Sequence, residues 1–453
     1  MKKLFGTDGM RGEAGKFPLD AATVKITGNS LAKHLVEKKN GQKPLIIIGR
    51  DTRESGAWIE KTLIAGATEA GAECESAGVI TTPGVAFLAR TVPADAGVVI
   101  SASHNPYQDN GIKIFSPSGR KLDDATECLI EADIRVAKDK IDDVNFQIEY
   151  SSEGNRAVEL RERYLNYLAN EFPNLSLSDL RIVVDCANGA SFQLVPRLLE
   201  KLGAQVIAIN NNPDGQNINR DCGSLHLSAL QSRVLEEKAD LGVAYDGDAD
   251  RALFVDAQGE VVDGDAYLWA LARFMQERGS LVHNIVVATV MSNLGLEIAL
   301  RTRGIKLLRT DVGDKYVLEE LLRTKSSIGG EQSGHIIFPQ RSLAGDGMLT
   351  TLYLLYAMQE TKLQLYELTN GFTRHPQILV NVRVREKVPF ANVAQISQAM
   401  EKIESQLGER GRLLLRYSGT ESLARVMIEG ESQEEIEKQA HYLASVIKET
   451  LGI

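Results

Sequence analysis

One pattern constrains this chain more than any other, and it occurs three times. An apolar, β-branched run leads into a polar or glycine turn, a stretch of helical periodicity, a glycine, and a second apolar run. The first copy starts at 44–49, reaches Gly71 and continues towards Val79 and Ile80. The second starts at 182–185 and passes Gly203 to 206–209, and the third starts at 285–288 and passes Gly304 to 305–308. Continuous β-branched runs suit strands buried on both faces. A strand, a helix closed by glycine and a second strand make a βαβ unit. The reading is a triplicated α/β chain, with a shared α/β habit as the plainer alternative. The last part differs. Runs at 377–382, 411–416 and 424–428 read as strands, and 391–407 and 432–451 as amphipathic helices, with Ser432 as N-cap and Glu435 placed to complete a capping box. The expected fold class is therefore α/β: three similar mixed, βαβ-rich domains at 1–150, 151–255 and 256–369, plus a smaller α+β domain at 370–453, around a central cleft. Polar stretches at 149–154 and 369–371 mark two of the seams.

Composition removes several classes of function. Apolar residues are 43% of the 453, enough for packed cores. Lys plus Arg against Asp plus Glu is 51 − 61 = −10, which argues against wrapping nucleic acid or adhering to an anionic membrane. No apolar run approaches the roughly 18 residues of a membrane span. The N-terminal lysines lead into Gly6 and Asp8 rather than an apolar stretch, so no signal peptide is read. Cys74, Cys128, Cys186 and Cys222 are too scattered for a disulfide scaffold or zinc ribbon. A reducing, cytoplasmic compartment is expected. An anionic substrate must be held by local cations working against the global charge.

Four short segments carry chemistry. Asp246, Asp248 and Asp250 alternate just after an apolar run. Alternate carboxylates on a bent loop converge on one hard cation, and Mg²⁺ prefers oxygen ligands. A solvated acidic turn is the bland alternative, but the carboxyl end of a buried strand is where α/β proteins bind ligands. An EF-hand fails, because Arg251 and Ala257 stand where it needs Gly and Glu. An aspartyl-phosphate phosphatase fits poorly, its Gly and Thr being misplaced. Second, a strand at 97–100 runs into Ser101, Ala102, Ser103, His104, Asn105 and Pro106, with Lys113 beyond. A strand-end serine can carry a phosphoryl group; an Asn-Pro turn with Ser and His caps is the ordinary alternative, and a phospho-carrier His104 is another. Third, Arg416, Ser418, Gly419 and Thr420, with Arg425 close behind, combine small hydroxylated residues with forked donors suited to phosphate. A plain hairpin turn stands equal to it. Fourth, Glu331 and Ser333, two apart in an extended stretch, point the same way and suit sugar hydroxyls; a glycine-rich turn is as good. The loop at 310–316, with Lys315, is similar or a plain helix start. The turns at 5–12 and 49–53 read as surface turns with local Asp–Arg pairing. Four such segments fit a cleft where several domains meet.

Taken together, these segments resemble the α-D-phosphohexomutase family over essentially the whole chain. Ser-Ala-Ser-His-Asn-Pro, Asp-Gly-Asp-Ala-Asp-Arg, Gly-Glu-Gln-Ser-Gly-His and Arg-Tyr-Ser-Gly-Thr-Glu occur in the family's order and spacing. The opening Phe-Gly-Thr-Asp-Gly-Met-Arg-Gly and Gln332 are most similar to members acting on an amino sugar. The resemblance implies an isomerase, an intramolecular phosphotransferase, that interconverts glucosamine 6-phosphate and glucosamine 1-phosphate for UDP-N-acetylglucosamine synthesis. It implies a phosphoserine at Ser103 and a glucosamine 1,6-bisphosphate intermediate, with activation by that bisphosphate or by phosphorylation of Ser103. One Mg²⁺ would be held by Asp246, Asp248, Asp250 and an oxygen on phosphorylated Ser103. Arg11, Arg251 and Lys113 would neutralise the moving group, and Lys113 and His335 are acid/base candidates. Glu331 and Ser333 would read the sugar, and Arg416, Ser418, Gly419, Thr420 and Arg425 would hold the phosphate that is not reacting. Phosphoserine, metal, sugar and far phosphate thus fall to the four domains in chain order. A phosphomannomutase/phosphoglucomutase and a non-catalytic sugar-phosphate sensor are the competing readings. The chain departs from the family pattern at Ser422, where Pro is frequent, at Lys315, where Arg is frequent, and at Met10, where a smaller aliphatic is usual. The oligomeric state, a homodimer included, is left open.

Overall fold

The protein is described by a computed structural model covering residues 3–6, 8–137, 154–418 and 422–453. The three repeats share more than a βαβ unit. In each, a first strand pairs in parallel with two others, and the last of these turns back into an antiparallel fourth. Leu45–Arg50 lies between Glu73–Val79 and Ala96–Ile100, and the latter pairs with Asp109–Phe115. Arg181–Asp185 lies between Gln205–Ile209 and Leu241–Tyr245, which pairs with Ala252–Asp256. Ile285–Thr289 lies between Lys306–Thr310 and Gly329–Gly330, which pairs with Ile336–Ile337. The turns that link third to fourth strands are 101–108, 246–251 and 331–335. Three of the four chemical segments therefore occupy one topological position, at the carboxyl end of a buried parallel strand.

Local chemistry explains the repeat. The first strands are apolar on both faces; Ile46, Ile47 and Ile48 are wholly buried. The helices Gly56–Glu69, Leu194–Lys201 and Leu294–Thr302 each run into a glycine of positive φ: Gly71 (93°), Gly203 (101°) and Gly304 (67°). A side chain at that φ would be strained, so glycine ends each helix and frees the chain for the second strand. In the first copy that strand begins at Glu73, earlier than expected, because alternating polar residues hide it. The second sheet also runs past the expected seam at 255, since Val261–Val262 pairs with Ala252–Asp256. The seam at 149–153 lies outside the described residues.

The C-terminal part is an antiparallel sheet of Gln377–Arg383, Leu423–Glu429 and Arg412–Tyr417, backed by helices Ala394–Leu407 and Gln433–Leu451. The first helix starts three residues later than expected, after a 3₁₀ turn at Phe390–Asn392. Ser432 caps the second, its side chain accepting from the Glu435 N–H. The cores divide unevenly. One apolar cluster runs continuously from Ile47 through Ile182 and Val184 to Leu368, uniting the three α/β sheets. The C-terminal sheet has its own cluster, drawn only from 382–451. Among the described residues, no helix is long and apolar enough to cross a membrane.

Candidate active site

Ser103 lies at the first turn with φ 52°, a conformation uncommon for a residue bearing a Cβ, and only 1% of it is exposed. Its hydroxyl donates to Asp246 Oδ2 at 2.5 Å. Asp246, Asp248 and Asp250 are all buried, and they offer ligand oxygens within 4.8 Å of one another. Glycine makes this approach feasible: a Cβ on Gly247 would sit 2.5 Å from the Ser103 carbonyl oxygen.

Positive charge surrounds the trio unequally. Lys113, 1% exposed, reaches Asp248 Oδ2 at 2.9 Å, Asp8 at 3.1 Å and Asp250 at 3.7 Å. His335 Nδ1 is 3.5 Å and Arg251 Nε 3.7 Å from Asp250 Oδ1. Burial alone would raise the Asp250 carboxyl, but His335, Lys113 and Arg251 hold it below its usual range. Asp246 goes the other way: burial, then Asp250 and Asp248, push it well up. His335 rises to about 9, as Asp250, Asp314 and Glu331 outweigh burial. His104 falls to about 4 through burial and then the Arg251 and Arg11 charges. Asp248 Oδ1 is buried with no hydrogen-bond partner. Three convergent carboxylates, with Asp248 Oδ1 and Asp250 Oδ1 buried and without a hydrogen-bond partner among the described residues, suit a hard divalent cation.

Arg11, His104, Asp250, Arg251, Glu331 and His335 line one cleft of about 490 Å³. A second cavity of about 440 Å³ lies behind Asp8, Asp314 and His335. Glu331 accepts from the Gly313 N–H at 3.2 Å and from the Ser333 hydroxyl at 3.2 Å, so Glu331 and Ser333 face one way. The loop is pinned to the aspartate turn, the Ala252 N–H donating to Gly334 O at 3.2 Å. The fourth group stands apart. Arg425 Nη2 donates to the buried Ser418 hydroxyl at 3.4 Å, and Arg416 rests on Met291 Sδ at 3.9 Å, beyond the strand Ile285–Thr289. Burial and then the Arg425 charge lower the Arg416 pKa. Gly419 and Thr420 lie outside the described residues.

Two departures find plain places: Lys315 bridges to Asp124 of the first domain at 2.9 Å, and Met10 is buried in the first domain's core. The turn at 49–53, expected at the surface, is instead buried: Asp51 and Arg53 are 0% and 1% exposed and pair at 2.9 Å. The local Asp–Arg pairing was legible; its burial depends on distant chain. Lys121 was also missed. It reaches Asp8 and Asp314, each at 2.6 Å, and so ties the first domain to the third.

The chain matches family models described as phosphoglucomutase/phosphomannomutase alpha/beta/alpha domain I at 2–140, domain II at 162–259, domain III at 263–375 and the C-terminal domain at 379–446. It is 48% identical to a phosphoglucosamine mutase of Solibacter usitatus, covering 100% of this chain and 99% of that one. It is 49% identical to a phosphoglucosamine mutase of Caldicellulosiruptor saccharolyticus, covering all of both. Among solved structures, a phosphoglucomutase/phosphomannomutase family protein of Burkholderia thailandensis superposes with TM-score 0.79 at 22% identity, over 99% of this chain and 97% of that one. An N-acetylglucosamine-phosphate mutase in its substrate complex superposes with TM-score 0.69 at 18% identity, over 99% and 96%.

Proposed function

The chain belongs to the phosphoglucomutase/phosphomannomutase family of α-D-phosphohexomutases, and from that premise we propose that it is an isomerase interconverting glucosamine 6-phosphate and glucosamine 1-phosphate. The observation that carries the reading is the Ser103 hydroxyl, held 2.5 Å from Asp246 of a buried carboxylate trio. A neutral serine there is a resting group; a phosphoserine is the reactive one. In the forward direction the sugar 1-hydroxyl attacks the phosphorus of phosphorylated Ser103. The P–Oγ bond breaks, the hydroxyl proton leaves to a side chain of the cleft, and Ser103 Oγ takes up a proton. The 1,6-bisphosphate turns, and the Ser103 hydroxyl attacks the phosphorus at position 6, giving its proton to a side chain of the cleft, which returns one to the leaving 6-oxygen. The 6-hydroxyl leaves protonated, the serine is phosphorylated again, and the product is the 1-phosphate.

Phosphoryl transfer needs alignment and neutralised charge more than covalent help. Lys113 and Arg251 supply fixed positive charge beside the trio, and Arg11 faces the same cleft. Asp246, Asp248 and Asp250 would hold Mg²⁺, which supplies charge neutralisation on the transferring oxygens. His335, whose pKa rises to about 9, is placed to give a proton, and Lys113, the other acid/base candidate by resemblance, stays charged, its burial cost outweighed by Asp248, Asp8 and Asp250. Glu331 and Ser333 orient the sugar hydroxyls. Arg416, Ser418 and Arg425, with Gly419 and Thr420, take the far phosphate, so remote binding energy positions the near one. The product feeds nucleotide activation of the amino sugar.

Intact mass spectrometry of the purified protein should find one phosphate, mapped to Ser103, and Ser103→Ala should abolish turnover of glucosamine 6-phosphate with Mg²⁺ and bisphosphate present. Full activity in the alanine variant would end the proposal. A kcat/KM higher for glucose or mannose phosphate than for the amino sugar would move it to the neighbouring specificity.

A further inference from the structure

We propose that Arg53 is a positioning residue for the phosphoryl-transfer step, acting through the backbone of the serine turn. Its guanidinium is wholly buried beneath the turn. Nη2 donates to the carbonyls of Ser103 (3.0 Å) and Asn105 (2.8 Å), and Nη1 donates to that of Pro106. Nε is held by Asp51 Oδ2 at 2.9 Å. The same Asp51 oxygen accepts from the Ser101 hydroxyl at 2.6 Å, and that hydroxyl accepts the Ser103 N–H at 3.0 Å. The peptide of the nucleophile is thus gripped at both its N–H and its carbonyl by one buried pair.

The grip has a chemical purpose. Ser103 holds φ 52°, and that backbone turn aims Oγ at Asp246. An unusual φ persists only where its surroundings over-determine it. Three carbonyls of the turn share one guanidinium, whose charge offsets their negative ends. From the second domain, Asn219 Nδ2 donates to the carbonyls of Ser103 (2.8 Å) and Asn105 (3.0 Å). The turn is therefore fixed relative to the aspartate trio as well as within its own domain. A fixed aim matters because an error of about 1 Å at a reacting atom costs on the order of 100-fold in rate.

This inference rests on Ser103 being the phosphoryl carrier, and its test separates the two claims. The double variant Asp51→Asn/Arg53→Met removes the buried charges together and avoids stranding one of them. Asn219→Ala, at a half-buried site, is the milder probe. Hydrogen exchange at the amides of 101–105 should accelerate in both variants. kcat should fall by about 100-fold in the double variant and about tenfold in Asn219→Ala, with KM for the sugar phosphate within about threefold of the parent. Arg53→Lys, which keeps the charge and loses the fork, should fall between the parent and the double variant. Unchanged exchange, or unchanged kcat in a folded double variant, would overturn the positioning role. A parent protein that never takes phosphate on Ser103 would remove the function proposed above, while the exchange measurement would still decide whether Arg53 holds the turn.

Discussion

The junction of the first two domains and the junction of the last two solve opposite problems. At the first, three carboxylates and a hydroxyl are packed into a shared apolar core, and the contacts crossing it are short: Ser103 to Asp246, and the Thr82 hydroxyl to Asp248 Oδ2 at 2.5 Å. At the second, a sheet with its own core meets its neighbour through polar groups. Glu429, fully buried, accepts from Arg412 at 2.8 Å and from the Leu294 N–H at 3.3 Å, and Arg412 donates to the Ser292 carbonyl at 3.0 Å. Negative charge is thus preassembled in a buried block, whereas Arg416 and Arg425 sit half-exposed on a separately packed unit. Burial makes the carboxylates expensive without a cation, and so makes the cation bind. Half-exposed guanidiniums stay hydrated, and on the proposed reading a phosphate would displace that water.

The contrast predicts different kinetic signatures. Asp248→Asn should show the largest effect: loss of Mg²⁺ binding by calorimetry and a fall in kcat of roughly 10²–10³-fold. A variant that changed only KM would erase the distinction. Arg425→Ala should raise KM for the sugar phosphate by about 10–100-fold with a smaller change in kcat, the worth of one charge-assisted hydrogen bond. A pure kcat effect there would mean the two junctions act as one.

The smallest effect is on stability. Asp346, beneath the aspartate turn, and Asp265, beneath the third–fourth junction, are both pushed up to about 6 by burial, partly offset by backbone hydrogen bonds. A carboxyl with a raised folded pKa binds its proton more tightly in the folded state. Its contribution to stability is therefore whole below the unfolded value near 3.8 and is lost as pH climbs to about 6. The difference in denaturation midpoint between the parent and Asp346→Asn or Asp265→Asn, measured from about pH 4 to 7, should shrink or turn in the variant's favour over that window, as each variant lacks the decline its carboxyl contributes. A variant that leaves the slope untouched would show that its carboxyl is already ionised.

Much of this was readable in the chain. Alternating Asp246, Asp248 and Asp250 after a β-branched run announce themselves, because alternation and strand burial are local properties. The three βαβ copies are legible for the same reason. The fourth strand of the third copy is only Ile336–Ile337, too short for any period to register. Arg53 escaped because an Asp–Arg pair two apart looks alike on a surface or under a catalytic turn; only residues far along the chain, Ser103 to Pro106 among them, bury it. The link from Lys121 to Asp314 escaped likewise, since it spans two domains. Gln332 pointed to an amino sugar by resemblance, yet its side chain turns to Asp263 at 3.4 Å, a contact that spacing does not foretell.

Because the serine, aspartate and glutamate turns are the same corner of three copies of one unit, the labour of the reaction is divided by repeat. On the proposed reading the serine and aspartate corners handle the phosphoryl group, while the third reads the sugar through Glu331 and Ser333 and also supplies a proton through His335. An engineer seeking a new sugar would then vary Glu331, Gln332 and Ser333 and keep His335, whose Nδ1 lies 3.5 Å from Asp250 Oδ1. A lineage that began by triplicating one unit would have had three equivalent corners free to diverge in chemistry from its first generation.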